Sequence, residues 1–343
     1  MPRSDTALRP DVPPSNPAAT ATKPAPKRRL LWIAAAVAAL VVVGGGVTAA
    51  LVTSNAGPAA PQIPQGAIAA DTRMGAVELR ASDLPAMTAY YGPAGVGLDV
   101  LEETTASVSL GSEGRELVRL VAAEGTLASP ADAGLFHTAI LFDDAPALAS
   151  TLVALATAYP SLYGGSADHA VSHAFYFADP EGNGVELTVD TPRDSWVWQD
   201  GEVQMGSAPL DINAFVAEHL GTGEAAGATV GHVHLKVGDL AQAEDFYADL
   251  LGFAVTARSD GAIFLSAGGY HHHLAANTWS SEGAGERPAS LGLGSVEIVV
   301  PDAAQLDAIQ ARLADASVAF EVDGSSVVVA DPWGTVVRVS AAA

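Results

Sequence analysis

The chain contains no cysteine among its 343 residues. That absence excludes a disulfide-stapled scaffold, a zinc finger, an iron–sulfur protein and a cysteine nucleophile. Positive charge is scarce as well, with 16 Lys+Arg against 39 Asp+Glu. Six of the bases (Arg3, Arg9, Lys23, Lys27, Arg28 and Arg29) lie in the first 29 positions beside two acids, leaving 10 bases against 37 acids over residues 30–343. So acidic a surface repels DNA and RNA, and no nucleic-acid partner is expected. No Gly-x-Ser-x-Gly elbow and no Gly-x-x-x-x-Gly-Lys loop occurs, which removes the α/β-hydrolase and P-loop readings. The hydrophobic content of 49% argues against general disorder. After the N-terminal segment, about 270 residues remain, enough for two domains with real cores.

Residues 1–29 are rich in Pro, Ala, Ser and Thr, end in Lys27-Arg28-Arg29, and read as a disordered cytoplasmic tail. Leu30 to Thr53 is a run of 24 residues without a charge, about 36 Å long as a helix and enough to cross a bilayer. The basic flank on its N-terminal side keeps the tail in the cytoplasm and places the chain beyond Thr53 outside, a single-pass anchor. The alternative is an exported protein: Arg28-Arg29-Leu30-Leu31-Trp32 resembles a twin-arginine signal, and Ser54-Asn55-Ala56 offers a small-residue cleavage site. Residues 54–72 read as an Ala/Pro-rich stalk.

The remainder is a duplication. GHVHLKVGDL at 231–240 has a degenerate partner in GAVELRASDL at 75–84, and DPEG at 179–182 pairs with DPWG at 331–334. Each half divides again into units that open with a strand, pass through a helix and close with several strands, beginning near Gly75, Gly134, Gly231 and Leu293. In the second unit the spacing predicts a helix over 145–158. In the third it predicts a strand over 231–237, a helix over 240–251 ended by Gly252, and strands over 262–266 and 270–277. The fold class is therefore α+β, built from four βαβββ modules and preceded by one transmembrane helix. The first half comprises residues 73–192, a linker covers 193–229, and the second half runs from 230 to 343.

Several ordered motifs carry a resemblance: LFHTAIL at 135–141, SADH at 166–169, AFYFADPEGNGVEL at 174–187, PRDSW at 192–196, GHVHL at 231–235, SAGGYHHH at 266–273 and NTW at 277–279. With the modules they span residues 75–340. The chain resembles the vicinal oxygen chelate superfamily, which includes the glyoxalases, bleomycin resistance proteins and extradiol dioxygenases. Within it, the likeness is to the four-module branch of catechol 2,3-dioxygenase-like proteins. The resemblance implies two cup-shaped barrels, a divalent metal, and ring cleavage of a small catechol or hydroquinone with O2. Two other readings stay open: an extracytoplasmic binding protein for aromatic compounds without turnover, and a glyoxalase-like isomerase or lyase.

Eight of the nine histidines fall in the second and third modules. Ala76 and Ser295 stand in the first and fourth modules where the third has His232, and Arg338 stands where the second has Glu186. Only pairing modules two and three brings two histidines and a carboxylate into one cup, so these two should build the site and modules one and four a structural shell. The metal set that the resemblance implies is then His137, His232 and Glu186, with His234 as the alternative to His232 on the same strand face. Fe(II) is the expected ion, Mn(II) its alternative, and Zn(II) or Ni(II) the ion if the protein is not a dioxygenase. By the same matching, His273 is expected as the acid–base histidine, with His271 on its face and His272 turned away. Tyr176, ten residues before Glu186, is expected to face the same cavity as a catalytic residue, and His169 to bind a substrate oxygen at the pocket rim.

Overall fold

Residues 134–142 and 228–236, runs of apolar and β-branched side chains interrupted by histidines, form the two strands at the centre of the larger sheet and are buried over most of their length. The computed structural model describes residues 63–221 and 227–342. The segment 30–53, read as a membrane anchor or export signal, and the tail before it lie outside these residues. Among the described residues no helix is long and apolar enough to cross a membrane.

Module one comprises β1 (Arg73–Ala81), α1 (Leu84–Tyr91), β2 (Asp99–Glu103), β3 (Ser107–Ser112) and β4 (Arg115–Ala122). Module two comprises β5 (Gly134–Phe142), α2 (Ala145–Ala158), β6 (Tyr163–Asp168), β7 (Ser172–Ala178) and β8 (Gly184–Asp190). The connection between the halves carries the short strands β9 (Trp198–Gln199), β10 (Glu202–Val203) and β11 (Ala208–Pro209), then α3 (Ile212–His219). Module three comprises β12 (Ala228–Lys236), α4 (Leu240–Glu244), β13 (Ala254–Ser259), β14 (Ala262–Ser266) and β15 (Leu274–Asn277). Module four comprises β16 (Gly292–Val300), α5 (Ala303–Asp315), β17 (Phe320–Asp323), β18 (Ser326–Ala330) and β19 (Val336–Ala341).

The strands form two large mixed sheets. One runs β17-β18-β19-β16-β1-β4-β3-β2 and the other β11-β6-β7-β8-β5-β12-β15-β14-β13. Modules one and four thus share one sheet and modules two and three the other, as the distribution of histidines demanded. Each pair is joined antiparallel through its opening strands, β1 to β16 and β5 to β12. Side chains alternate accordingly: Val233 and Leu235 on β12 and Thr138 and Ile140 on β5 enter the core, while His232, His234, His137 and Ala139 take the opposite face. One apolar cluster runs through all four modules, joining Val77, Leu79, Ile140, Phe175, Val233, Leu235, Val296 and Ile298.

The helices start where the sequence supplies caps. Asp144 accepts from the Ala147 amide at the head of α2, and Asp302 from the Gln305 amide at the head of α5. The duplicated Asp-Pro-x-Gly turns share one construction. Asp179 accepts from the Glu181 and Asn183 amides and, through Oδ2, from the Tyr91 hydroxyl at 3.0 Å. Asp331 accepts from the Trp333 and Thr335 amides and from the Tyr247 hydroxyl at 3.0 Å. Each buried carboxylate therefore ties its turn to the helical segment of the preceding module.

Three expectations are corrected. The helix over 240–251 is α-helical only to Glu244, and Asp245–Leu250 widens to a π-helical turn that buries Phe246 and Tyr247 before Gly252 ends it at φ +96°. The stretch read as stalk is folded over 63–72: Ile68 is buried, its amide donates to the Gly252 carbonyl at 2.9 Å, and Thr72 is buried as well. Residues 270–273 are not strand. Gly268 and Gly269 both take positive φ, +62° and +68°, so the chain rounds a turn and β15 begins only at Leu274.

Candidate metal and active site

Register places the site. Tyr176 pairs with Glu186 across β7 and β8, Glu186 with Ala139 across β8 and β5, and Ala139 with His232 across β5 and β12. Paired residues share a sheet face, so these four form one row across the cup. The small Ala139 in the row leaves space over which Glu186 and His232 converge, and His137 enters from two residues away on β5. Gly231, at an irregularity in the β5–β12 register, sets the phase that turns His232 toward the cup.

The three donor atoms meet. His137 Nε2 lies 3.0 Å from Glu186 Oε2, His232 Nε2 lies 3.3 Å from the same oxygen, and the two imidazole nitrogens are 3.1 Å apart. Two ligands about 2.1 Å from one ion and at right angles to each other lie about 3.0 Å apart. Two imidazoles and a carboxylate at these separations would suit one divalent ion held by all three residues, and the cluster borders the cavity. All three residues are buried. Burial opposes ionisation of Glu186, yet the His232 and His137 imidazoles hold it well below the usual carboxylate range. Desolvation lowers His232 from the ordinary histidine range, which favours the unprotonated ring that a metal requires.

His234, the alternative to His232, is outside this cluster. Its Nε2 accepts from Asn277 Nδ2 at 2.9 Å and its ring stands edge-on to His137 at 4.9 Å. Tyr176 and His169 face the same cavity and are joined, with the Tyr176 hydroxyl 2.6 Å from His169 Nε2 and His169 Nδ1 2.6 Å from the Gly206 carbonyl. A carbonyl only accepts, so His169 donates from Nδ1, and in the neutral ring Nε2 accepts from Tyr176. Burial, with Glu186 nearby, raises Tyr176 above the ordinary phenol range and keeps its hydroxyl protonated.

His273 is a correction. Its Nδ1 accepts from the Ala267 amide at 3.2 Å and lies 2.9 Å from Ser266 Oγ, and its side chain lines a smaller cavity of about 160 Å³ away from the cluster. Desolvation pushes its pKa down to about 3. His272, expected to turn away, lines the main cavity with its ring centroid 4.0 Å from that of His232. Strand alternation does not extend through residues 270–273, which form a turn, so His272 and His273 exchange their expected faces.

The main cavity measures about 720 Å³. The cluster lies on its wall with Val171, Val203, Met205 and Phe264, and Phe136 and Trp279, ring centroids 5.4 Å apart, are partly exposed beside it. Its one guanidinium, Arg258, is held by Glu244 at 2.8 and 2.5 Å. Residues 202–207, read from sequence as linker, form part of the wall. Only the PRDSW motif just before them hinted that the connection was more than a spacer.

Residues 229–339 match the family model described as the glyoxalase/bleomycin resistance protein/dioxygenase superfamily. The chain is 33% identical over 272 residues to a catechol-2,3-dioxygenase of Bacillus subtilis (strain 168), covering 76% of this chain and 94% of that protein. Among solved structures, a candidate dioxygenase from Bacillus subtilis superposes with a TM-score of 0.57 at 12% identity, over 78% of this chain and 84% of that one. A glyoxalase I variant from Zea mays superposes with a TM-score of 0.50 at 17% identity, over 79% and 94%. These two structural likenesses concern the fold alone.

Proposed function

We propose a function on this premise: the chain belongs to the glyoxalase/bleomycin resistance/dioxygenase superfamily, the vicinal oxygen chelate proteins, in the branch of the catechol 2,3-dioxygenases. We infer that it is a metal-dependent extradiol ring-cleavage dioxygenase acting on a small catechol or hydroquinone with O2. The observation that carries this reading is the convergence of His137, His232 and Glu186 on the wall of a largely apolar, aromatic-flanked cavity. An ion held by these three residues, Fe(II) first and Mn(II) as its alternative, would supply Lewis acidity to a chelating diol and leave positions open for it and for dioxygen.

The chain's own groups do the rest. Val171, Val203, Met205 and Phe264 exclude water from a bound ring, and Phe136 and Trp279 suit a flat ring entering. The Tyr176 hydroxyl, whose proton goes to His169 Nε2, can accept a hydrogen bond from a substrate hydroxyl. His272 replaces His273 as the imidazole that takes a diol proton and later returns it. The same proposal keeps residues 30–53 as an anchor or export signal with the folded part outside the cytoplasm, which cell fractionation with protease protection tests.

The experiment is metal content with oxygen uptake on the full chain, purified anaerobically, reconstituted with Fe(II) and given catechol. About one iron per chain, oxygen uptake and a yellow ring-opened product are expected, and Glu186→Ala should lose both metal and uptake. Metal without uptake across several diols would shift the reading to an isomerase or lyase. Aromatic binding without metal would shift it to a sequestration protein.

A further inference from the structure

A chain of hydrogen bonds, part-buried at Asp190 and buried beyond it, leads from the end of β8 to the cavity. Asp190 is the last residue of β8, four beyond Glu186. Its Oδ1 lies 3.0 Å from His271 Nε2 and 3.3 Å from the Tyr270 hydroxyl. His271 Nδ1 lies 2.7 Å from His272 Nδ1, and His272 lines the cavity against His232. His271 is 1% exposed and its ring is boxed by Tyr270 at 4.0 Å and Trp196 at 5.0 Å between centroids, so it has no room to flip.

With His271 neutral, donor and acceptor chemistry allows one arrangement of protons along this chain. A carboxylate only accepts, so His271 Nε2 carries hydrogen. In a neutral His271 the other nitrogen, Nδ1, is then a lone pair, and His272 must donate to it from Nδ1. That leaves His272 Nε2 unprotonated and open to the cavity. We propose that Asp190 is a positioning residue: acting through His271, it holds His272 in the tautomer whose free Nε2 can accept a proton from a bound substrate hydroxyl. In that transfer the substrate O–H bond breaks, its electron pair stays on oxygen, and a new N–H bond forms at His272 Nε2. The logic is that of a carboxylate that orients a catalytic imidazole, with one further imidazole interposed.

The inference rests on the dioxygenase reading for its consequence in turnover, but not for the tautomer. Nitrogen-15 NMR of the full chain, metal-free and labelled at histidine, reads the two ring nitrogens of His271 and His272 directly, with signals assigned through His272→Asn. At pH 7 the wild type should show His271 protonated at Nε2 and His272 protonated at Nδ1. Asp190→Leu should let His272 populate the Nε2–H form. His271→Phe, which keeps a ring in the box but cuts the chain, should do the same should the first variant fold poorly. In the Fe(II)-loaded enzyme with catechol, Asp190→Leu should lower kcat about 10- to 100-fold with KM within about twofold and iron content unchanged. His272 protonated at Nε2 in the wild type, an imidazolium at His271, or a tautomer indifferent to both substitutions overturns the proposal. Absence of turnover in the wild type would instead count against the dioxygenase reading, while the NMR result still decides the role of Asp190.

Discussion

Substituting Gly184 by alanine should damage the site without replacing a ligand. Gly184 opens β8, two residues before Glu186, and a Cβ built there would lie 2.1 Å from the Phe136 carbonyl oxygen and 3.0 Å from His137 Cβ. Carbon and oxygen do not approach within 3 Å, and the obstacle is backbone, so β5 and β8 must part by roughly 1 Å. His137 and Glu186 sit on either side of that seam, and opening their 3.0 Å separation to about 4 Å breaks the spacing that three adjacent ligands need. Overpacking of this kind costs about 1–3 kcal/mol, a fall of about 2–10 °C in Tm for a domain of this size. Metal affinity should fall at least about tenfold, since ligand geometry tolerates only about 0.5 Å. Competition with a chromophoric chelator and thermal unfolding of the metal-free protein measure the two effects. Gly285→Ala, where the added methyl meets open space, is the control. Wild-type metal affinity in Gly184→Ala would refute the argument that the β5–β8 seam sets the ligand spacing.

His232→Ala should abolish stoichiometric metal binding while His234→Ala retains it, as read by metal analysis after dialysis; the reverse result would exchange the two assignments. Burial holds His232, His234 and His272 below the ordinary histidine range and His273 at about 3. The unfolded chain therefore takes up protons first, and the metal-free protein should lose stability as pH falls through about 6.5, by up to about 1.4 kcal/mol per pH unit for each such histidine. A Tm equal at pH 7.5 and 5.5 would contradict this. Tyr91→Phe and Tyr247→Phe each remove one hydrogen bond to a buried carboxylate and should each cost about 1.5–3 kcal/mol in denaturant unfolding; a loss in one without the other would break the equivalence of the two turns.

Much of this architecture is legible in the residues. The repeated Asp-Pro-x-Gly turns and the GHVHL strand reveal the duplication, and the placement of histidines tells which modules share a sheet, because a ligand set needs its members on one face. Helix α2 follows from its apolar spacing with Asp144 and Pro146 at its head. What periodicity misses is where a strand stops. Two successive left-handed glycines end the alternation before His271, which exchanges the expected places of His272 and His273. The choice of His232 over His234 depends on an irregular register at Gly231 and on the Asn277 amide, neither of which one strand's sequence contains. The cavity wall formed by residues 202–207 has no periodic signal, since a loop that serves as lining need not alternate.

The crossing of the duplicated halves between the two sheets also governs how the molecule comes into being. His137 and His232 are 95 residues apart in the chain, and β1 waits for β16, pairing Glu78 with Ser295. Contacts so distant in sequence form slowly, because a long loop must close before any pairing rewards it. During synthesis the first half emerges with the opening strand of each module paired on one side only, to β4 or β8, and its other edge open to association with other chains. No metal site exists at that stage, whatever ions are present. Metal capture is therefore a late event, possible only once both halves have been made and have interlocked, and it reports completed folding of the larger sheet.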